Sequence, residues 1–316
     1  MLMLMYDIII IGGGPAGLMA ALFAKRNGMN VLVLNNPEKL SNLALAHSIE
    51  NHPGEIKIKG TELLERIKKQ VEKSGIEIKN ERVVSIDKSE HFMVQCHHGV
   101  YESPSVIIAT GLVSRKANVE GEDSFLGKGV SYCVLCDGPM FRGKDVLVAG
   151  GGDSAVTGAI ALKEMGARNV YIIHRRNEFR AEKANVSKLK KAGITQILDS
   201  VITEIKGSKF VEAVKIKNTK TEKITELPVS GVFVEIGYMP LSELVKNLGI
   251  FVDKNGFIKT NEKNETNIKG VFAAGDITSG GYKLLVIAYA QGSISGLNAS
   301  KYVNEIKGSE FKPQLY

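Results

Sequence analysis

The fold of the first part of the chain is decided by residues 6–17, YDIIIIGGGPAG. The β-branched run Tyr6–Ile11 predicts a parallel strand covered on both faces. Gly12–Gly14 interrupt this strand, and Pro15 stands where a helix can begin without losing a hydrogen-bond donor. Helical character lasts to Gly28, after which NVLVL predicts a second strand. The order strand, glycine turn, helix, strand predicts the opening of a doubly wound α/β sheet.

The same pattern begins again in residues 145–176, DVLVAGGGDSAVTGAIALKEMGARNVYIIHRR. Gly150 repeats Gly12 at a distance of 138 positions, and an internal repeat of this kind indicates two copies of one structural unit. We therefore expect an α/β fold with two Rossmann-like, three-layer, doubly wound domains. An amphipathic helix over residues 61–74, buried strands in SVIIATG, GVFVEIG and GVFAAGD, and a last helix from Tyr282 onward fit the same scheme.

The composition is that of a soluble globular protein, because 44% of the 316 residues are apolar and 24% are charged. The apolar start MLMLMYDIIII lacks a basic segment and contains Asp7, so we interpret it as a buried strand and not as a signal peptide. No apolar run reaches the roughly 20 residues that cross a bilayer. We therefore expect a cytoplasmic protein without membrane contact.

The net charge of +7 does not by itself indicate a nucleic-acid partner. Lysines are scattered among glutamates, as in ELLERIKKQVEKSG, and no long basic block with interleaved aromatic residues occurs. This distribution is typical of solvated helix faces, so we expect no nucleic-acid binding.

The first glycine turn, Gly12-x-Gly14-x-x-Gly17, lies between a predicted strand and a predicted helix, which is the context of a dinucleotide-binding motif. Its glycines permit a tight turn, close approach of a pyrophosphate, and close packing of helix and strand. An acidic residue often ends the second strand and binds a ribose hydroxyl. Asn35 stands there instead, and an amide can make that hydrogen bond without the assistance of charge.

The second glycine turn, Gly150-x-Gly152-x-x-Ala155, has an accepted alanine at its third position. The strand that follows it ends in His174-Arg175-Arg176, with Arg180 four residues further along. Guanidinium groups at this position suit the 2′-phosphate of NADP, which an acidic residue would repel. The motif therefore predicts a site selective for NADPH.

A Cys-x-x-Cys pair, Cys133 and Cys136, raises three possibilities: a metal ligand pair, a structural staple or a working dithiol. A zinc site needs four ligands, no second Cys-x-x-Cys exists, and Cys96-His97-His98 has no matching spacing, so we expect no metal. We expect Cys96 alone to be a half-buried thiol without a role. A helical turn would bring the two α-carbons to roughly 5–6 Å, within reach of a disulfide. Asp137 could move a proton to or from a thiolate if burial raises its pKa.

A dithiol beside sites for NADPH and a second dinucleotide suggests an electron relay. Hydride transfer and disulfide reduction both involve two electrons, and a flavin is the usual intermediary between them.

Over nearly its whole length the chain resembles the low-molecular-weight thioredoxin reductase family. The resemblance rests on GGGPAG, IENHPG, IATG, GVSYCVLCDGPMF, GGGDSA, HRRNEFRAEK, GVFVEIGYMP and GVFAAGD, which occur in the family's order. It implies an FAD-binding domain formed by residues 1–113 and 240–316, with an NADPH-binding domain, residues 114–239, inserted between them. It also implies a homodimer, a rotating NADPH domain, and thioredoxin or a glutaredoxin-like small protein as the partner.

The resemblance assigns roles to individual residues. Cys136 would face the flavin, Cys133 would attack the external disulfide, and Asp137 would act as acid or base. FAD would be bound by Gly12, Gly13, Gly14, Pro15, Ala16, Gly17, Asn35, Asn51, Ala109, Thr110, Gly111, Gly275, Asp276, Lys283, Leu284 and Leu285. NADPH would be bound by Gly150, Gly151, Gly152, Asp153, Ser154, Ala155, His174, Arg175, Arg176, Arg180, Ile236 and Gly237.

Two departures from the family pattern fall on the FAD side. The family usually has Gly-Gly-Gln after the second strand, where this chain has NNPEKLSNLAL, and it has Arg-Gln-Ala where this chain has Lys283-Leu284-Leu285. Lysine loses the planar fork of arginine, and leucine cannot form hydrogen bonds. We therefore hypothesise weaker or altered FAD binding.

Three other functions fit the sequence less completely. One is an NAD(P)H oxidase flavoprotein that passes electrons to oxygen. Another is a redox-sensing homologue with weakened FAD binding and no turnover. A third, a reductase that takes electrons from ferredoxin, is disfavoured by the intact GGGDSA and HRR motifs.

Overall fold

A computed structural model describes residues 4–46, 49–240, 243–280 and 282–314. The chain divides into two compact units. The first contains the residues up to Val113 together with those from Met239 onward, and the second is Ser114–Tyr238. The strand expected at the start of the chain includes Met1–Met3, which lie outside the described residues.

The described residues up to Ser114 form nine strands and two helices. The strands are β1 (Leu4–Met5), β2 (Ile8–Ile11), β3 (Val31–Asn35), β4 (Glu77–Asn80), β5 (Val83–Lys88), β6 (Phe92–Cys96), β7 (Val100–Ser103), β8 (Ser105–Ile108) and β9 (Leu112–Ser114); the helices are α1 (Pro15–Arg26) and α2 (Gly60–Lys73). Helix α1 begins at Pro15, as the sequence predicts, and α2 buries Leu63, Leu64 and Ile67 on one face.

The middle of the chain follows a similar plan. Its strands are β10 (Val130–Ser131), β11 (Val146–Ala149), β12 (Val170–Ile173), β13 (Thr195–Ile197), β14 (Ser200–Gly207), β15 (Val211–Asn218), β16 (Ile224–Pro228) and β17 (Gly231–Val234); its helices are α3 (Val134–Asp137), α4 (Asp153–Glu164) and α5 (Lys183–Lys191). The rest of the chain adds β18 (Tyr238–Pro240), β19 (Val271–Ala273) and α6 (Leu285–Ile306).

The first unit has three layers. Its central sheet is parallel, with strand order β19-β8-β2-β3-β4. On β2, Ile8 and Ile10 pack against helices α1, α2 and α6, whereas Ile9 and Ile11 pack against the sheet β1-β7-β6-β5. Because neighbouring residues of a strand point to opposite faces, the unbroken isoleucine run serves both sides of the sheet.

The second unit repeats this arrangement. Its parallel sheet has the order β10-β17-β11-β12-β13, and its second sheet, β14-β15-β16, is antiparallel. Val146 and Val148 face helix α4, while Leu147 and Ala149 face the antiparallel sheet. The α/β class with two Rossmann-like, three-layer units is thus confirmed. The layer opposite the helices is an antiparallel sheet in the second unit and a mixed sheet in the first, where β1 pairs in parallel with β7.

Two local details differ from the sequence predictions. Helix α6 begins at Leu285, because Leu284 is still extended with φ −119° and ψ 148°, so Tyr282 precedes the helix. Cys96, expected to be half-buried, is only 5% exposed, and burial together with nearby Glu81 raises the pKa of its thiol to about 12. This thiol is therefore protonated and unreactive at neutral pH.

Within the described ranges, no helix has both the length and the apolar character needed to span a bilayer.

Candidate functional site

A cavity of about 620 Å³ opens in the first unit at the carboxyl ends of its parallel strands. Ile11, Asn35, Ala109 and Ala274, which end or follow strands β2, β3, β8 and β19, lie in its wall. Ligands of open α/β sheets bind at this end of the strands, and cofactor pockets commonly measure about 300–1,000 Å³. The cavity therefore has the place and size of a cofactor site.

The first glycine turn forms the floor of this cavity. Gly12 has φ +122°, and a side chain there would overlap the carbonyl oxygen of Ala109. A side chain at Gly14 would meet only the β-carbon of Ser41, at 3.7 Å, so the backbone beside the start of α1 is open. No side chain caps that helix start. Open backbone at a helix N-terminus suits a pyrophosphate.

Nearly all of the residues predicted to bind FAD lie around this one cavity. Its lining includes Gly12, Gly13, Gly14, Pro15, Ala16, Asn35, Asn51, Ala109, Thr110, Gly111, Gly275, Asp276, Lys283, Leu284 and Leu285. Gly17 is the exception, because it packs beneath the turn, where a side chain would overlap the carbonyl oxygen of Gly12. The structure thus brings together residues from five separate parts of the sequence: 12–16, 35, 51, 109–111 and 275–285.

Polar groups in the wall match the hydroxyls of a dinucleotide. Burial raises the pKa of the Asp276 carboxyl, and Asn42 Nδ2 lies 3.5 Å from its Oδ2. The buried hydroxyl of Thr110 has no hydrogen-bond partner among the described residues. Asn35 donates through Nδ2 to Asn80 at 2.9 Å, which leaves its Oδ1 to accept from a ligand. With the open glycine turn, these groups fit FAD.

Ser41 and Asn42 also line the cavity, although their segment lacks the usual family motif and neither residue was predicted to bind FAD. The hydroxyl and the amide in SNL are polar signals that could have identified them.

Lys283 has partners within the protein, because its Nζ donates to the carbonyl oxygen of Thr278 at 2.6 Å and lies over the ring of Phe257. Weaker FAD binding therefore stays a prediction.

The second glycine turn has the same construction in the second unit. Gly150 has φ +156°, and a side chain there would overlap the carbonyl oxygen of Glu235. A side chain at Gly152 would meet nothing within 4 Å, and no side chain caps the start of α4. This turn, too, exposes backbone and a helix N-terminus toward an anionic ligand.

The basic segment after β12 contains one buried and three exposed residues. His174 is 6% exposed and stacks on Phe179; burial and the nearby arginines lower the pKa of its imidazole. It is therefore a neutral packing residue beside Gly151, not part of the basic surface. Arg175, Arg176 and Arg180 are exposed, so their guanidinium groups are free to meet a phosphate.

Two further residues predicted to bind NADPH have partners within the protein. Asp153 Oδ1 accepts from the backbone N–H of Glu182 at 2.9 Å and from Asn185 Nδ2 at 2.8 Å. Ser154 forms a side-chain hydrogen bond with Tyr238. These contacts join the start of α4 to the segment at the start of α5 and to the end of the unit. Asp153 and Ser154 therefore have a structural role in addition to any contact with a ligand.

The strand β17 is followed directly by a half-buried acidic residue, Glu235. Burial raises the pKa of Glu235 to about 7, and Ile236 and Gly237 follow it at the exposed end of the strand. Sequence reasoning did not single out Glu235. A charged residue directly after a fully buried strand was the available signal.

The Cys133–Cys136 pair forms a disulfide, with 5.4 Å between the α-carbons, as the spacing predicts. Cys133 caps the short helix α3, and its Sγ accepts from the backbone N–H of Cys136 at 3.0 Å. Its own N–H donates to Ser131 Oγ at 2.9 Å. Cys136 is exposed, whereas Cys133 and Asp137 are half-buried.

Comparison with known proteins identifies the family. The model of pyridine nucleotide-disulphide oxidoreductases matches residues 6–292. This chain belongs to that family. A thioredoxin reductase of Peptoclostridium litorale is 39% identical over 310 residues, which cover 95% of this chain and 98% of the relative. The pyridine nucleotide-disulphide oxidoreductase family thus accounts for both glycine turns and the disulfide.

Comparison with solved structures finds thioredoxin reductases of similar fold. The crystal structure of thioredoxin reductase from Lactococcus lactis matches with a TM-score of 0.88 and 37% identity, covering 95% of this chain and 99% of that one. A ferredoxin-flavin thioredoxin reductase from Clostridium acetobutylicum matches with a TM-score of 0.53 and 36% identity, covering 98% and 100%. The resemblance noted in the sequence is confirmed, and the chain is a flavoprotein oxidoreductase whose cofactors are FAD and NADPH.

Proposed function

We propose that the protein is an NADPH-dependent disulfide reductase that sends two electrons through FAD to the Cys133–Cys136 pair and on to thioredoxin or a glutaredoxin-like protein. One observation carries the proposal. The only described disulfide lies in a partly exposed turn of the unit that also contains the second glycine turn and its exposed arginines. A structural staple would not need this setting.

The two glycine turns take different cofactors in this proposal. The cavity of the first unit would hold FAD, with the open backbone at Gly14 for the pyrophosphate and Asp276 for a hydroxyl. The second turn would hold NADPH, with the open backbone at Gly152 for the pyrophosphate and the exposed Arg175 and Arg176 for the 2′-phosphate. The bound cofactors would supply hydride chemistry and a two-electron route to sulfur.

The protein's own sulfurs complete the reaction. Two electrons break the S–S bond, and Cys133 becomes a thiolate whose Sγ is stabilised by the N–H of Cys136. The Cys133 thiolate attacks the partner's disulfide and releases one partner thiolate. Cys136 then attacks Cys133, which restores the internal disulfide and releases the second. Asp137 passes a proton to a leaving thiolate.

The assembly and location follow from the resemblance. We expect a homodimer, and apolar side chains exposed at the start of α6, namely Tyr282, Leu284, Val286 and Ile287, support a partner surface there. A species of 34.3 kDa in sedimentation velocity would contradict this. We also expect the cytoplasm, where a dithiol stays reducible, and neither nucleic acid nor membrane as a partner.

The test is NADPH-dependent reduction of thioredoxin by purified protein and by Cys133→Ser. The wild type should reduce thioredoxin, and the variant should lose at least about 100-fold in rate, because only a thiolate attacks the partner. Cys96→Ser is the matched control: Cys96 is buried in the core of the first unit and forms no disulfide, so activity should persist.

Two results would contradict the proposal. Thioredoxin reduction that is unchanged in Cys133→Ser would remove the dithiol from the pathway. NADPH consumption that requires oxygen and is equal in both proteins would instead support the NAD(P)H oxidase.

A further inference from the structure

The residue before the redox pair is tied to a buried carboxylate. Tyr132 packs with Val119 and Phe125 against the apolar cluster between the two sheets of the second unit. Its hydroxyl donates to Glu122 Oε1 at 2.7 Å. Tyr132 follows β10 directly and is bonded to Cys133, so this hydrogen bond fixes the chain at the first sulfur.

Glu122 is 2% exposed, and its partners are few and well defined. The N–H of Ala117 donates to Oε1 at 2.8 Å, and the N–H of Asn118, a residue in the left-handed region, donates to Oε2 at 2.6 Å. These two bonds close the loop that contains Glu122. The Tyr132 hydroxyl is a third donor, which joins this loop to the redox turn.

The residue after Cys133 is held on the other face of the sheet. Val134 is 6% exposed and packs in the cluster beneath α4, where its Cγ2 lies 3.1 Å from the position of a β-carbon on Gly158. Cys133 thus lies between one neighbour anchored in the antiparallel-sheet layer and another anchored in the helix layer. Its own N–H is bound by the buried Ser131 hydroxyl.

We propose that Tyr132 and Glu122 are a positioning pair that holds Cys133 where its sulfur closes onto Cys136. A phenylalanine at position 132 would fill the same apolar space, and Glu122 would keep both backbone donors. The hydroxyl is therefore dispensable for packing and for closing the loop. Its distinctive effect is to restrain the backbone at Cys133 when the disulfide is open.

The state of the hydroxyl agrees with this role. Burial, and then the hydrogen bond to Glu122, raise the pKa of Tyr132 above its ordinary value. The phenol is thus a hydrogen-bond donor throughout the neutral range.

The inference rests on the proposed function, and it concerns the closing step. In that step two thiols lose two electrons and two protons, and the Cys133–Cys136 bond forms while an external disulfide is reduced to a dithiol. A restrained dithiol loses less conformational freedom on closing, so restraint favours the disulfide. Removing the restraint should shift the equilibrium toward the dithiol.

The experiment is a thiol–disulfide titration of full-length Tyr132→Phe against mixtures of reduced and oxidised dithiothreitol. Alkylation followed by mass spectrometry gives the reduced fraction of Cys133 and Cys136. We expect the equilibrium constant to shift about tenfold toward the dithiol, or about 30 mV for this two-electron couple. Tyr171→Phe is the matched control, because Tyr171 packs against the same cluster but on β12.

An unchanged equilibrium in Tyr132→Phe would overturn the proposal, even if the variant melted at a lower temperature, because a purely structural bond stabilises both redox states equally. An equal shift in Tyr171→Phe would also overturn it. Should Tyr132→Phe fail to fold, hydrogen exchange of the reduced wild type provides the test. Protection of the Tyr132 amide supports the pair, and exchange of that amide at the rate of an open chain contradicts it.

This titration needs neither cofactor nor protein partner. Failure to reduce thioredoxin would therefore count against the proposed function alone.

Discussion

The two sulfurs of the redox turn have different surroundings. Cys136 is exposed, and Cys133 is half-buried with a backbone N–H directed at its Sγ. A hydrogen bond to sulfur favours its anionic form, so Cys133 is the better leaving group when the disulfide is attacked at Cys136. The family resemblance assigns the same division of roles, with Cys133 acting on the external partner.

At the residue scale, the exposed arginines should determine which nicotinamide cofactor is used. In Arg176→Ala, we expect kcat/KM for NADPH to fall about 10- to 100-fold, as for the loss of a hydrogen bond between charged groups worth roughly 1.5–3 kcal/mol. The value for NADH, which lacks the 2′-phosphate, should stay within about twofold. Steady-state rates with both cofactors measure this. An equal fall with both would contradict the assignment of Arg176.

Glu235 should make stability depend on pH. Burial raises its pKa to about 7 from the ordinary value of 4.5. Between these values the unfolded chain ionises while the folded chain keeps its proton, so the free energy of unfolding decreases as pH rises through this window. In Glu235→Gln that decrease, on the order of 3 kcal/mol, should disappear.

Melting temperatures at pH 4 and pH 8 test this prediction about Glu235. The variant should match the wild type at pH 4, where both side chains are neutral, and exceed it at pH 8. Equal melting temperatures at pH 8 would show that the folded carboxylate is not destabilised. Glu212→Gln, a substitution at an exposed position of β15, should leave the pH dependence of the wild type intact.

At the scale of elements, two glycines of the first glycine turn should have different roles, Gly14 in cofactor binding and Gly17 in stability. Gly14→Ala should fold normally, because the new methyl group would meet only Ser41, but it should weaken FAD binding about tenfold or more by occupying the path of the pyrophosphate. Gly17→Ala should lower the stability of the apoprotein by about 1–3 kcal/mol, because its methyl group overlaps the Gly12 carbonyl. Titration of each apoprotein with FAD, together with its melting temperature, measures both effects.

Normal FAD binding by Gly14→Ala would contradict the placement of the pyrophosphate. The wild-type protein in the same experiment tests the hypothesis of weakened binding through Lys283 and Leu284. Retention of stoichiometric FAD by the wild type through extensive dialysis would refute that hypothesis.

The elements differ in how far the sequence could predict them. Strands β2, β3, β8, β11 and β17 are buried on both faces, so each leaves an unbroken apolar run ending at a glycine or a polar turn. The sheet β14-β15-β16 left no such signal, because its strands alternate and β16, Ile224–Pro228, is largely exposed. A sequence motif also does not show in which direction a side chain points. For this reason His174 was grouped with the exposed arginines, and Asn42 was missed.

At the scale of the whole molecule, the internal repeat was the most informative signal. Gly12 and Gly150 each begin a turn between a buried parallel strand and a helix, and the structure builds a three-layer unit around each. The repeat could not show which turn takes which cofactor. That distinction came from the residues after the second strands: Asn35 in the first unit, and Arg175 and Arg176 in the second.

The most direct test of the electron path is an anaerobic addition of NADPH to the FAD-loaded protein, followed by alkylation and mass spectrometry. We predict that Cys133 and Cys136 become alkylated in proportion to the NADPH added, while Cys96 does not until the protein is unfolded. If the flavin absorbance bleaches and Cys133 and Cys136 remain joined as a disulfide, the electrons do not reach the sulfur pair and the account is wrong.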